Sequence, residues 1–356
     1  MSERGLRLLA SGFYGGFNLG DEAVLAGLLR LMREAPCHVD LTVLSGNPEL
    51  TAQTHGVRAM SRALARDMLA RAVELRRSDA LILGGGGLLQ DISGRRGIRG
   101  TLGRTLSLAN WARRAHVPLV FWGVGVGPLR PRAIPLVARA LRSAAIVAVR
   151  DEASQSLCAE LGVEARLVPD HAWALPLPAR DAGDRLGISL RHWQGLDVGA
   201  VARGLRAVQG RFHRPALFIA MEEPDLEVGH MLQEALGADS LEVPDRLPTL
   251  AGAVDQFGQC AGIVAMRLHA GLLAAAQGIP SIGIAYDAKV SELHRSLGDD
   301  GLFVPIALAG TAPGLLADAL SRRTGWSQRL RAYAGDRQRE AAAAARELLA
   351  RLHQHG

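Results

Sequence analysis

Short apolar runs, each closed by a glycine or a charged residue and followed by a stretch of helical length, recur through the first half of the chain. They are Leu6–Ser11, Val39–Leu44, Ala80–Leu83, Leu119–Trp122, Ile146–Val149 and Ala165–Val168. Alternation of this kind predicts a parallel sheet joined by crossover helices. The rhythm breaks from His171 to Asp184, where Pro176, Pro178 and Gly183 interrupt it, and this segment reads as a linker. It then restarts with Leu186–Leu190, Ala216–Met221, Gly262–Met266 and Ser281–Ala285, separated by helical segments such as Val198–Gln209 and Leu226–Ala235. The fold class expected is therefore α/β, with two Rossmann-like parallel-sheet domains facing a cleft: residues 1–175 as the first and 184–325 as the second. From Trp326 to His353, Ala, Arg, Glu and Leu predominate with no internal glycine or proline after Gly335, so 326–356 reads as a terminal helix, placed to pack back on the first domain.

Length agrees with two domains, since 356 residues exceed the usual size of one. No uninterrupted apolar stretch is long enough to span a bilayer, and Glu3, Arg4 and Arg7 break the N-terminal segment, so a cytoplasmic protein is expected. Cys37, Cys158 and Cys260 are scattered and odd in number, which argues for free thiols rather than a disulfide framework or a metal site. The formal charge of +6 comes almost wholly from arginine, Lys289 being the single lysine. Guanidinium groups suit phosphates, carboxylates or an anionic membrane face, although bulk composition explains most of them equally well. Neither a recognition-helix pattern nor aromatic residues among the basic ones point to nucleic acid.

The chemistry gathers where predicted strands end. Ser11 to Leu25 holds glycines at 12, 15, 16 and 20 with Asn18, and opens a helix near Asp21. Bare backbone and a helix N-terminus there fit a phosphate or sugar diphosphate, with Gly15, Gly16 and Asn18 as contacts, while Asp21 and Glu22 also serve simply to complement the helix dipole. The spacing is not that of a dinucleotide fingerprint. Gly84-Gly-Gly-Gly-Leu-Leu-Gln-Asp repeats the arrangement, as a tight turn or as a ligand loop presenting Gly85, Gly86, Gln90 and Asp91. Trp122-Gly-Val-Gly-Val-Gly-Pro reads as closely packed wall. In Val149-Arg-Asp, Asp151 is a helix cap and Arg150 either clamps an anion or pairs with Asp170. In Met266-Arg-Leu-His, Arg267 supplies fixed charge and His269 a group that titrates near neutrality, which together suit acid–base work on an anionic substrate, although a lone strand-end histidine is more often structural. Lys289, in Tyr286-Asp-Ala-Lys-Val, is either a chance survivor or a residue whose role arginine cannot fill.

Taken in order, Gly-Phe-Asn-Leu-Gly-Asp-Glu-Ala, Gly-Gly-Gly-Leu-Leu-Gln-Asp, Gly-Val-Gly-Val-Gly-Pro, Val-Arg-Asp-Glu-Ala-Ser, Pro-Asp-His-Ala-Trp, Met-Arg-Leu-His-Ala and Tyr-Asp-Ala-Lys-Val resemble the polysaccharide pyruvyl transferases, and most closely the CsaB-type enzymes. The likeness runs from about residue 8 to about residue 298. It implies a fold like the GT-B glycosyltransferases and a transferase that takes phosphoenolpyruvate as donor and needs no cofactor or metal. The acceptor implied is an N-acetylmannosamine residue of a secondary cell-wall polysaccharide, lipid-linked, which would bring the enzyme to the cytoplasmic face of the inner membrane. The product would be a 4,6-linked pyruvate ketal of the kind that anchors surface-layer proteins. It also implies donor binding by Arg150, Arg267, Leu268 and His269. On this scheme the arginines hold the donor from opposite domains in one cleft, His269 protonates the enol carbon, and Asp91 or Asp21 takes the hydroxyl protons. Two other readings fit the same residues: a glycosyltransferase of this architecture with a nucleotide-sugar donor, and a non-catalytic protein that binds anionic sugars.

Overall fold

Apolar runs with both faces covered are what a central parallel strand requires, and β4 (Ala80–Gly84) and β5 (Leu119–Val124) are buried along their whole length. The computed structural model describes residues 5–63, 67–91, 100–178, 183–212 and 214–355. In it the chain forms two compact units. The first comprises Met1–Gly16, Asp21–Leu175 and Gln338–Gly356, and the second Phe17–Gly20 and Pro176–Arg337.

The first unit holds a seven-stranded, all-parallel sheet. With β1 (Leu6–Ser11), β2 (Val39–Ser45), β3 (Arg58–Ser61), β6 (Ile146–Val149) and β7 (Arg166–Leu167), its order is β3-β2-β1-β4-β5-β6-β7. The direction of winding reverses between β1 and β4. Loops leaving the carboxyl ends of such a strand pair diverge and open a crevice, the usual place for a ligand in an open α/β sheet. Gly12–Gly20 leaves β1 and Gly85–Gln90 leaves β4. The second unit repeats the order with six parallel strands: β8 (Arg185–Ser189), β9 (Ala216–Phe218), β10 (Leu241–Glu242), β11 (Cys260–Ala265), β12 (Ser281–Ala285) and β13 (Leu302–Pro305), arranged β10-β9-β8-β11-β12-β13. Its reversal lies between β8 and β11, so Leu190-Arg191 and Met266-Arg267 leave adjacent strands. The expected Rossmann-like class is the one the chain adopts.

Each of the three strands that carried no signal in the sequence, β3, β10 and β13, lies at a sheet edge. An edge strand is short and partly exposed, so it lacks the apolar run that marks a central strand. The segment taken as a linker begins differently from expectation. His171–Ala174 form a buried turn of 3-10 helix within the first unit, and the division falls between Leu175 and Pro176. Ala179–Ala182 lie outside the described residues. The terminal helix, numbered α13 here (Trp326–His355), is continuous, and its part from Gln338 is counted with the first unit.

Two buried histidines give the fold a pH dependence. His171 packs edge-on against Trp122, with ring centroids 4.7 Å apart, and His294 lies under β12 with Nδ1 2.9 Å from the Val290 carbonyl. Burial first, and for His171 the Arg150 charge as well, push both from the ordinary 6.5 down to about 4. A histidine lowered in the folded state binds its proton more readily when unfolded. Stability is therefore intact above pH 6.5 and is lost as pH falls towards 4, by on the order of 3 kcal/mol for each histidine over the full window. Urea unfolding at pH 7.0 and 5.2, above the carboxylate range, should show a clear loss at the lower pH. Equal stabilities would contradict the buried, neutral state of both rings.

Candidate functional site

In the first unit the glycine-rich strand ends surround Arg150. It follows β6, is nine-tenths buried, and sends Nη1 to Asp170 Oδ2 at 2.9 Å, with Nε 3.5 Å from Asp151 Oδ2. Of the two alternatives raised for Arg150, the pair with Asp170 is present, and Asp151 caps its helix as expected by accepting from the Ser154 N–H at 2.8 Å. Burial lowers the tendency of Arg150 to hold its proton, but Asp170 and Asp151 more than reverse this, so the group stays charged. Its Nη2 makes no hydrogen bond to the protein among the described residues and lies, with Nε, over Gly125, where an added Cβ would sit 3.4 Å from either nitrogen. The fork is thus half used by carboxylates and half presented across bare backbone.

Gly86 sits beside this group, accepting the Gly125 N–H at 2.9 Å. Its φ of +70° suits glycine, and an added Cβ would meet Asp21 Oδ1 at 3.0 Å. Asp21, in the first turn of α1 (Leu19–Arg33), is thereby brought against the Gly86 backbone. The other glycines expected to contact ligand have close protein neighbours. Gly15 gives its N–H to Glu22 at 2.8 Å and faces Ser45, Gly16 packs on Phe13, and Gly85 makes room for Val24. Glu22 also binds His55 at 2.9 Å, so its carboxylate ties down the loop. Tyr14, whose hydroxyl is pushed up by burial, donates to the Gly84 carbonyl at 2.7 Å. Gln90 folds back over Gly87. Asp91, only 1% exposed, accepts the Arg130 N–H at 2.7 Å on Oδ1, which ties the two loops together.

In the second unit Arg267 and His269 stand where β11 gives way to α10 (Leu268–Ala276). Arg267 is 8% exposed and held from two sides, Nε 3.0 Å from Asp225 Oδ2 and Nη2 2.6 Å from Glu222 Oε2, with a further bond from Nη2 to Asp225 Oδ1. Burial opposes its charge, and the hydrogen bonds and charge of Asp225, with those of Glu222, hold it above its ordinary value. Nη1 makes no hydrogen bond among the described residues. Asp225 is fixed in turn by the Met221 and Glu222 N–H groups, each at 3.1 Å. Asn18, counted with this unit, donates to Glu222 and receives the Gly20 N–H at 2.9 Å. The His269 ring lies against Gly20, where an added Cβ would come within 2.3 Å of Nδ1. Leu268 is half-buried at the helix start.

A second group crowns β8 and β12. Arg191 reaches the Tyr286 hydroxyl at 3.3 Å and stacks over Trp193 at 5.2 Å, and Lys289 lies 5.7 Å over the Tyr286 ring and 3.7 Å from Asp287. Glu222, Asp225 and Arg191 were not legible as site residues, because an acid in a first helical turn, another in the loop before it and one more arginine look ordinary. Among the described residues no cluster of three or more metal-type ligands occurs, and no helix is long and apolar enough to cross a membrane.

Two Rossmann-like units, each with a carboxylate-held arginine following a strand inside its sheet, define a doubly wound α/β protein. Solved structures share the fold. A putative UDP-N-acetylglucosamine 2-epimerase from Listeria monocytogenes is 12% identical with a TM-score of 0.69, covering 99% of this chain and 97% of its own. Anabaena Alr3699/HepE in complex with UDP and glucose, and the UDP-GlcNAc 2-epimerase from Neisseria meningitidis bound to UDP-GlcNAc, are each 10% identical with a TM-score of 0.67, covering 99% of this chain and 100% of theirs. No curated protein gives a significant match. The chain belongs to the polysaccharide pyruvyl transferase family, whose model matches residues 18–288, and is accordingly a transferase of pyruvyl groups to polysaccharide. The matched span takes in Asn18, Asp21, Arg150, Asp225, Arg267 and His269.

Proposed function

We propose that the protein is a CsaB-type enzyme. On this reading it moves the pyruvyl group of phosphoenolpyruvate onto two hydroxyls of an N-acetylmannosamine residue in a lipid-linked cell-wall polysaccharide precursor. The reading is carried by Arg267 and His269 lying two residues apart at the β11–α10 turn, the arginine locked in place by Asp225 and Glu222. A guanidinium so held offers Nη1 to the donor with little ordering cost, since its geometry is already fixed. Arg150 offers Nη2 in the same way. His269 protonates the methylene carbon, and the sugar hydroxyl attacks the cationic carbon that results. The carbon–phosphate oxygen bond then breaks, and the second hydroxyl closes the ketal. Two hydroxyl protons are released: one replaces the proton given to carbon and the other leaves with phosphate. With Asp91 engaged by Arg130, Asp21 is the carboxylate assigned to take a hydroxyl proton. Donor and acceptor together account for the chemistry without a cofactor.

Incubation with phosphoenolpyruvate and a synthetic lipid-linked mannosamine acceptor should release inorganic phosphate in step with a pyruvyl ketal increment in the acceptor's mass. Parallel reactions with uridine diphosphate sugars test the glycosyltransferase alternative, and product from those alone would overturn the assignment. Binding of phosphoenolpyruvate with no phosphate released would leave the non-catalytic reading standing.

A further inference from the structure

Arg62 and Arg104 are two arginines of the first unit with no part in the scheme above. They line one small recess together with Ser11, Gly12, Thr101 and Thr105, and no carboxylate lines it among the described residues. Arg62 follows β3, its backbone N–H held by the Ser45 carbonyl at 2.8 Å, and its guanidinium stacks 4.8 Å over Phe13. Its Nη1 is buried without a hydrogen-bond partner, although buried N–H groups are rarely left so. Arg104, half-buried in the first turn of α4 (Thr101–Ala115), makes one long bond to Thr101 Oγ1 at 3.3 Å. Burial, and after it the Arg104 charge, hold the Arg62 guanidinium below its ordinary value against the opposing pull of Asp21 and Glu22. Two like charges share a recess, and among the described residues neither has a hydrogen-bonded counterion there.

We propose that Arg62 and Arg104 form a subsite for a phosphate group, distinct from Arg150 and lying beside the loop that leaves β1. A phosphate dianion matches the two charges, whereas a carboxylate would neutralise one. The recess is small, so a sugar ring attached to the anion would stay outside it. Under the pyruvyl-transfer reading the natural source is a phosphate ester or diphosphate on one of the substrates, but the subsite itself is tested without turnover.

The whole 356-residue chain is titrated with inorganic phosphate while its melting temperature and binding heat are followed. Arg104→Glu is compared with Arg114→Glu, which makes the same change of charge at an exposed position on the same helix. A glutamate at 104 supplies the missing counterion, so Arg104→Glu should melt at or above the wild-type temperature with phosphate absent. It should also weaken phosphate binding by about tenfold or more, as expected for loss of a charge-assisted contact. Arg62→Gln should weaken binding similarly, and Arg114→Glu should leave it unchanged. Titrations with phosphoenolpyruvate and with UDP-N-acetylglucosamine, as a soluble glycosyl diphosphate, identify the source by which response Arg104→Glu abolishes. Equal phosphate binding by Arg104→Glu and wild type overturns the proposal, as does an equal loss in Arg104→Glu and Arg114→Glu. Those results would leave the pyruvyl-transfer reading untouched, and failure of phosphoenolpyruvate turnover would leave this one untouched.

Discussion

His269→Ala is expected to fold normally and to lose about 10²–10⁴-fold in turnover, the usual contribution of a positioned general acid. Proton transfer to carbon is the demanding step of the proposed reaction, and water is a poorer and unpositioned donor. The ring is half-buried and lies against Gly20, so its removal opens space there. That contact also provides an internal check. Gly20 lies in a helix, where alanine would ordinarily be the better residue by about 1 kcal/mol. Gly20→Ala should nevertheless lower turnover in the wild type, because its methyl group would displace the imidazole. Combined with His269→Ala, the same substitution should cost nothing further. Phosphate release from phosphoenolpyruvate, measured on the two single variants and the double, reads this directly, and near-normal turnover in folded His269→Ala would remove the assigned role.

Arg267→Met should have the largest effect on stability. It leaves Asp225, 1% exposed, as a buried carboxylate without its cation, and breaking a buried pair from one side costs about 3–5 kcal/mol. Arg267→Lys keeps the charge but loses the two-sided grip on Asp225 and Glu222, so it should recover only part of that loss. Urea unfolding measures both. The double variant Arg267→Met/Asp225→Asn removes both charges and should regain much of the stability while remaining defective in donor binding. A fall of less than about 1 kcal/mol in Arg267→Met would show that the pair does not behave as a buried one. An unchanged Michaelis constant for phosphoenolpyruvate in the folded double variant would separate Arg267 from the donor.

The central strands were legible because they are continuous apolar runs, and β1, β6 and β12 fall where the pattern puts them. Three of the four edge strands were not, and of these β3 and β10 are partly exposed and short. At the site, the arginines and the histidine were visible because they interrupt apolar strands abruptly. Their carboxylate partners were hidden for a physical reason: Glu222 and Asp225 are far from Arg267 in sequence, and only the return of β9 beside β8 brings them near. Arg62 and Arg104 were concealed by composition, since one arginine among many gives no signal until its surroundings are known.

The way the chain is shared between its units limits how it can be dissected. A cut after Leu175 yields a second fragment without Asn18 and Gly20, the first a partner of Glu222 and the second the surface against which His269 rests. The complementary fragment loses Gln338–Gly356. Neither piece carries all the residues of the body it would be named for, and the first unit is complete only after synthesis has passed through the whole of the second.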